Sequence, residues 1–301
     1  MSQVNTVTFG KNRVQFKKLQ WKFYQSPNFN TYTSQGGTEL GKFVAQVAEE
    51  ELPGIEKFEE YSLQRRANII VYNSYDEYKQ SNIGLGIDWQ NAGGLTKLVN
   101  NKIVVYFDGN HSTLKRQIRE GIARLLLDNL LFGEDIGEFA SNAALLDLPV
   151  WLTDGYVAYV AEPWSTKLDD ELKSEMLSGN YNNFYQFAFD KPTLAGHALW
   201  QYIGEKYKID NITYFLYLSR IYKNLNKASE KICKKKFKDV LADFMTYEQD
   251  KYFKDIRQRK NAPKGVLSVT EDVTKNDYFR FQANPNTRNN NATTQIGLEE
   301  Y

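Results

Sequence analysis

The sequence predicts an α+β fold in which a small N-terminal mixed sheet with helices precedes a helical C-terminal subdomain. Short segments of alternating apolar residues occur in the first third of the chain, and apolar residues at helical spacing fill the rest. Hydrophobic residues make up 42% of the chain and charged residues 25%, close to the averages of globular proteins. We expect a strand-rich subdomain over 1–145, a helical subdomain over 146–260, and a tail or linker over 261–301.

The N-terminal elements follow from changes in apolar spacing. Aromatic residues alternate with polar ones from Trp21 to Tyr32, around a Pro27-Asn28 turn, which predicts strands. Helical spacing begins at Leu40, and Pro53-Gly54 is expected to interrupt it before it resumes. The β-branched stretch Ala67–Tyr72 predicts a further strand, and Tyr75–Lys79 predicts a helical turn.

A glycine-rich stretch separates these elements from the longest helix. Four glycines in 83–94 favour a loop. Alternation then returns, and Asn100-Asn101 is placed for a turn, so we expect Gly93 to Phe107 to form a hairpin that lines a groove above the following helix. That helix is predicted over 111–132, where apolar residues fall on one stripe before Gly133.

The C-terminal part is predicted as successive helices whose breaks contain proline, glycine or asparagine. These breaks are expected at Pro163, Gly179-Asn180, Pro192, Asp210-Asn211 and Leu225-Asn226. Past Pro263 the composition shifts to Asn, Thr and Gln, which is typical of a tail or linker.

Charge and cysteine content exclude several classes of partner and site. The 38 basic and 37 acidic side chains nearly cancel, so the chain lacks the long-range field that holds nucleic acid. The lysine run from Lys234 to Lys238 is followed at once by Asp239, which favours a solvated helix face. A single cysteine excludes an internal disulfide and a thiolate metal site. No apolar run approaches the ~20 residues of a membrane span, so we expect no transmembrane segment.

Two segments carry the functional argument. The first reads Gln-Ile-Arg-Glu-Gly-Ile-Ala over 117–123, within the long predicted helix, and the second runs from Leu148 to Glu162. In zinc peptidases an H-E-x-x-H helix places two imidazoles one turn apart, with the intervening Glu as general base. The second segment resembles the Pro-x-Trp-hydrophobic-x-Glu-Gly-hydrophobic-Ala helix that supplies the third ligand in gluzincins, especially in the peptidase MA-like family.

This resemblance extends from about Trp21 to about Lys260 and implies a thermolysin-like, gluzincin architecture. It places Glu120 at the general-base position, Arg119 and Ala123 at the two histidine positions, and Asp154 at the third-ligand position. Arginine stays protonated and alanine has no donor atom, so zinc hydrolysis as the family performs it is not available. We therefore expect no metal and no cofactor.

A closer resemblance concerns the segments 148–162 and 195–200. Both are similar to the N-terminal domain of Bacteroidetes envelope proteins in which a TolB-like β-propeller follows. The resemblance implies a periplasmic or outer-membrane-associated protein with an attached C-terminal β-propeller. We expect the chain to be a fragment or mature form of a larger exported protein, since strand-like pieces such as Tyr278 to Phe281 are too short to complete a sheet.

Each candidate site residue has a structural interpretation as well as a functional one. His197 falls where the family places a residue that supports the transition state, although an interior histidine fits the same pattern. His111 is expected to cap the long helix rather than bind a ligand. Arg119 either points to solvent or stands in the cleft as the cation that replaces the metal, held by Asp154 and Glu120. Trp151 is either a platform for a ligand or part of the core.

The leading hypothesis is a catalytically inactive, peptidase-like pseudoenzyme that binds a peptide or protein, or acts as a scaffold, in the bacterial cell envelope. Its candidate binding residues are Arg119, Glu120, Asp154, His197 and Trp151. The alternative is an active metal-dependent hydrolase whose atypical site uses Glu120, Asp154 and His197. A third hypothesis is a structural module that orients an attached domain. None of the three includes a nucleic-acid partner.

Overall fold

The computed structural model confirms the α+β class. It describes residues 19–80, 101–134, 142, 148–208, 211–257, 280–283 and 291–294. Within these ranges a small mixed sheet near the N-terminus is followed by a succession of helices. The chain divides into two compact units, Met1–Phe253 and Lys254–Tyr301. The predicted boundary between 1–145 and 146–260 stays a prediction.

The sheet contains strands β1 (Lys22–Gln25), β2 (Phe29–Thr33), β3 (Ala67–Tyr72) and β4 (Lys102–Tyr106), in the order β1-β2-β3-β4. β1 pairs antiparallel with β2, and β2, β3 and β4 pair in parallel. Burial alternates along β2, so one face of the sheet meets the core. The predicted strands at 21–32 and 67–72 are thereby confirmed.

The structure describes only the second half of the hairpin that is predicted over Gly93 to Phe107. This half contains β4, which pairs in parallel with β3. The residues of the first half, 93–100, lie outside the described part of the chain, as does the predicted loop 83–94. The hairpin and the groove that it would line therefore stay predictions.

Helix α1 (Thr38–Glu59) corrects one prediction, because it continues through Pro53 without interruption. Leu52 and Ile55 lie on either side of the proline, and both are buried in the core. Tertiary packing of this kind outweighs the hydrogen bond that a proline removes from a helix. The predicted helical turn is also present, as α2 (Tyr75–Lys79).

Helix α3 (His111–Phe132) has the predicted bounds and ends at Gly133, whose φ is 89°. The cap differs from the prediction: the Asn110 side chain accepts a hydrogen bond from the backbone N–H of Ser112 at 2.8 Å. His111 instead packs edge-on against the rings of Phe43 and Phe107, at centroid distances of 4.8 and 4.9 Å.

The helices after α3 are interrupted at or next to the predicted breaks: Pro163 and Gly179-Asn180 lie between helices, whereas Pro192, Asn211 and Leu225 each begin one. They are α4 (Val150–Ala161), α5 (Thr166–Leu177), α6 (Phe184–Asp190), α7 (Pro192–Lys206), α8 (Asn211–Tyr222), α9 (Leu225–Cys233) and α10 (Phe237–Arg257). A further break separates α9 from α10, where Lys234 has a φ of 58°. The Asn226 side chain accepts a hydrogen bond from the Phe237 N–H at 3.1 Å across this break. None of the described helices combines the length and apolar character needed to cross a membrane.

The second unit contains a short antiparallel pair of strands, β5 (Arg280–Ala283) and β6 (Asn291–Thr294). Both strands fall in the segment that the sequence predicts as a tail or linker. The remainder of 261–301 lies outside the described residues.

Candidate functional site

The predicted site residues lie on α3, α4 and α7, and two glycines let the last two helices approach closely. A Cβ atom added at Gly155 would lie 2.3 Å from the backbone of Gly196, and one added at Gly196 would lie 2.0 Å from the Trp151 carbonyl oxygen. Side chains larger than hydrogen cannot fit at this crossing. The crossing therefore positions His197 of α7 against α4.

Arg119 is the central connection between three helices. Its Nε donates to the Ala161 carbonyl oxygen at 2.6 Å and its Nη2 to the Val160 carbonyl oxygen at 2.9 Å. Its Nη1 binds the Glu51 carboxylate of α1. A cation at a helix C-terminus satisfies carbonyl groups that lack a partner inside the helix and interacts favourably with the helix dipole. Arg119 thus joins α3 to α1 and to the end of α4.

Glu51 binds a second cation as well. The Lys115 ammonium lies 2.7 Å from its Oε1. Burial alone would raise the pKa of Glu51, but the hydrogen bonds and charges of Lys115 and Arg119 outweigh it and lower this pKa below its usual value. The sequence analysis did not single out Glu51, which lies 68 residues before Arg119 along the chain.

The predicted pairing of Arg119 with Asp154 is wrong. Asp154 pairs with Arg124, which lies more than one turn further along α3. Helix α4 lies with its C-terminus beside Arg119, so the Arg124 side chain is the one that meets Asp154. The described ion-pair partner of Glu120 is Arg116, at 3.7 Å.

Beside the Arg124–Asp154 pair lies Glu59, at the C-terminal end of α1. Its side chain is fully buried, and neither carboxylate oxygen has a hydrogen-bond partner among the described residues. Burial is the main reason that the pKa of Glu59 lies well above its usual value; the nearby charge of Asp128 raises it further and Arg124 opposes the rise. Burial thus favours the protonated form of this carboxyl group.

Glu120 belongs to a separate polar cluster, defined here as Arg116, Glu120, Glu162 and His197. The Arg116 guanidinium lies 3.7 Å from the Glu120 carboxylate and 3.3 Å from that of Glu162. Burial raises the pKa of Glu120, and the Glu162 charge adds to this while Arg116 opposes it. Two carboxylates therefore share one guanidinium at a partly exposed surface. The sequence analysis quoted Glu162 at the end of its motif but gave it no role.

His197 forms the buried side of this cluster. It is 2% exposed, its Nε2 has no hydrogen-bond partner among the described residues, and its ring meets Trp164 and Tyr159 edge-on at 5.2 and 5.8 Å. Burial lowers the pKa of His197 to about 4, which the charge of Glu162 only partly opposes. The imidazole is therefore neutral at pH 7.

Ala123 and Trp151, the other two predicted site residues, pack within the interior. Ala123 is fully buried in the core cluster. Trp151 packs against that cluster, edge-on to Phe184 at 4.8 Å and stacked on Phe237 at 6.2 Å. Neither residue contributes to the polar cluster.

The alternative hydrolase site is not assembled, because Asp154 lies outside the polar cluster that contains Glu120 and His197. Asp154 binds Arg124, Glu120 lies beside Arg116, and His197 is buried against aromatic rings. In the described part of the chain, no group of three or more His, Cys, Asp or Glu side chains is placed to hold a metal ion.

Comparison with known proteins adds no family assignment. No protein-family model matches the chain, and no curated protein matches it. The function of this chain must therefore be inferred from its residues and their contacts.

Proposed function

We propose that this chain is a catalytically inactive, peptidase-like domain that binds a peptide or protein segment in the bacterial cell envelope. The resemblance of 117–123 and 148–162 to gluzincin motifs assigns the metal-histidine positions to Arg119 and Ala123. The observation that carries the proposal is that the Arg119 guanidinium binds Glu51 and the last carbonyl groups of α4. Arg119 joins helices and Ala123 is packed in the core. These structural roles support a function in binding over one in metal-dependent hydrolysis.

The chemistry of the polar cluster suggests which peptides the domain accepts. Its three charged members, Arg116, Glu120 and Glu162, have side chains that are 48%, 38% and 38% exposed. Two carboxylates and one guanidinium leave one net negative charge when all three are ionised. A basic side chain or an amino terminus complements this charge. The proposal therefore favours basic peptides over acidic ones.

Measurements of metal content and of peptidase activity test whether the domain is catalytically inactive. We expect the purified chain to contain no stoichiometric zinc and to leave denatured casein intact. The double variant Arg119→His, Ala123→His is the minimum change toward a metal site, and zinc binding further requires residues that hydrogen-bond to the two new imidazoles and orient them. One zinc per chain in the unaltered protein, lost in Glu120→Gln or Asp154→Ala, would support the alternative hydrolase instead.

Peptide binding tests the positive part of the proposal. A library of fluorescent peptides should contain basic members that bind, and Glu162→Gln should weaken them. Glu230→Gln, which removes an exposed carboxylate from α9, is the matched control and should leave binding unchanged. If no peptide binds, the structural-module hypothesis is favoured.

The proposed location has a separate test. Fractionation of cells that express the complete gene should recover the protein with the periplasm or the outer membrane. Recovery with the cytoplasm would contradict the envelope role without bearing on peptide binding.

A further inference from the structure

Helix α6 exposes two aromatic side chains that the fold does not use. The helix buries Phe184, Phe187 and Ala188 on one side. Tyr185 and Phe189 lie one turn apart on the opposite side, 57% and 87% exposed, and Phe189 is the most exposed large apolar residue in the described part of the chain. Burial of a phenylalanine contributes about 1.5–3 kcal/mol, so leaving both rings in water forgoes stability.

An open cleft of about 690 Å³ lies beside these two rings. Its polar lining comes from the loop before α6 and from the helix itself, as Asn180, Asn183, Gln186 and Asp190. The cleft is shallow and largely open to solvent, so a ligand would lie along its surface with one side in water. Two aromatic surfaces and four polar side chains thus share one concave surface.

Two of these polar side chains are held in place by the local backbone. The Asn183 Oδ1 accepts a hydrogen bond from the Gln186 N–H at 3.1 Å, and the Gln186 Oε1 accepts one from the Asn182 N–H at 2.9 Å. The amide nitrogens of both side chains have no partner among the described residues. The site therefore presents oriented donors before any ligand arrives.

We propose that this cleft, lined by Tyr185, Phe189, Asn180, Asn183, Gln186 and Asp190, binds a neutral saccharide. A sugar ring has an apolar C–H face that stacks on an aromatic ring, and hydroxyl groups that both donate and accept hydrogen bonds. Side-chain amides and a carboxylate supply the complementary acceptors and donors.

Charge and backbone geometry argue against other ligands. Among the lining residues Asp190 alone is charged, so the cleft offers no cation to a phosphate or an acidic peptide. An extended peptide that adds to a sheet needs an unpaired strand edge, whereas α6 uses its backbone groups within the helix. Hydroxyl groups match the three amides, which donate and accept hydrogen bonds, and the Asp190 carboxylate, which accepts them.

Calorimetric titration of the full chain tests the proposal, with maltohexaose, cellohexaose, laminarihexaose and N-acetylchitohexaose as the probes. We expect at least one of them to bind. Phe189→Ala and Tyr185→Ala should each weaken that binding on the order of tenfold, the loss expected for one aromatic contact. Gln186→Leu should also weaken it. Phe253→Ala is the matched control, because this ring is 53% exposed on α10, outside the cleft.

Three results would overturn the proposal. The first is that none of the four oligosaccharides binds at concentrations up to about 10 mM. The second is binding that both aromatic substitutions leave unchanged while circular dichroism shows intact folds. The third is binding of a proline-rich peptide, lost in Phe189→Ala, without binding of any sugar. The saccharide cleft lies apart from the Arg116–Glu162 pair, so its failure leaves the peptide-binding proposal standing.

Discussion

Arg119 of α3 and Glu51 of α1 form an ion pair at the point where α4 ends. The two side chains are 27% and 15% exposed, and the same guanidinium also binds the carbonyl oxygens of Val160 and Ala161. A pair that is partly removed from water and carries several hydrogen bonds contributes more than a surface pair. This junction gives Arg119 a structural role, because it joins α3 to α1 and to the end of α4.

Arg119→Ala should destabilise the fold by about 2–3 kcal/mol, because it leaves Glu51 and two carbonyl groups without this partner. Urea unfolding measures the change. Combined with Glu51→Gln, the loss should be smaller than the sum of the two single losses, as expected for residues in contact. Combined with Asp154→Ala, the losses should add within about 0.5 kcal/mol. The reverse pattern would indicate that Arg119 pairs with Asp154 after all.

Glu59→Gln should stabilise the protein at neutral pH. The pKa of Glu59 is raised in the folded state, so the folded protein keeps a proton that the unfolded chain releases above its ordinary pKa of 4.5. The stability linked to this proton is complete below that pH and is lost as the pH rises toward the folded-state pKa. Glutamine does not titrate. The free energy of unfolding of the variant should therefore rise relative to that of the original protein between pH 5 and pH 8.

Denaturant unfolding over this pH range measures the gain from Glu59→Gln. Glu60→Gln is the control, since Glu60 is exposed at the end of the same helix. A gain of equal size in both variants would show that burial of Glu59 is not its cause.

His197→Gln should reduce the loss of stability in acid. The pKa of His197 is lowered from 6.5 to about 4, so the unfolded chain takes up a proton between these values while the folded protein does not. Stability should therefore fall by about 3 kcal/mol as the pH drops through this interval, and glutamine should remove that contribution. Identical profiles for His197→Gln and the original protein would contradict a buried neutral imidazole.

Gly155→Ala should destabilise the fold by about 3 kcal/mol, because its Cβ would lie 2.3 Å from the Gly196 backbone and force α4 and α7 apart. Gly54→Ala is the matched control within a helix, since nothing lies within 4 Å of its added Cβ. There alanine should stabilise by about 0.5–1 kcal/mol through helix propensity alone. Thermal unfolding compares the two, and equal effects would contradict the tight crossing.

Local sequence signals predicted most of the elements. The helix that ends at Gly133 has its predicted bounds and its apolar stripe faces the core, and the strand over 67–72 also has its predicted bounds. Such signals depend on residues a few positions apart. The predicted interruption at Pro53 was wrong. The buried neighbours of Pro53 pack against residues far away in the sequence, and this packing keeps α1 continuous.

The partners within the candidate site were less accessible to sequence reasoning. The sequence predicted Arg119 as a candidate cation of the cleft. It did not predict Glu51 as its partner, because nothing in α1 distinguishes Glu51 from the other acidic residues there. Glu162 was visible at the end of its motif, but its neighbours Arg116 and His197 lie on other helices. Their proximity depends on how these helices cross.

By itself the sequence determined the α+β class, the bounds of the strand over 67–72 and of the helix over 111–132, and the chemical fact that Arg119 and Ala123 cannot bind a metal. Each of these follows from local spacing or from the chemistry of one side chain. The tertiary structure alone decided that Arg119 binds Glu51, that Asp154 binds Arg124, and that His197 is buried and neutral. The physical reason is that a contact between residues far apart in the chain depends on helix crossings, and here the crossing of α4 with α7 is possible because Gly155 and Gly196 have no side chains.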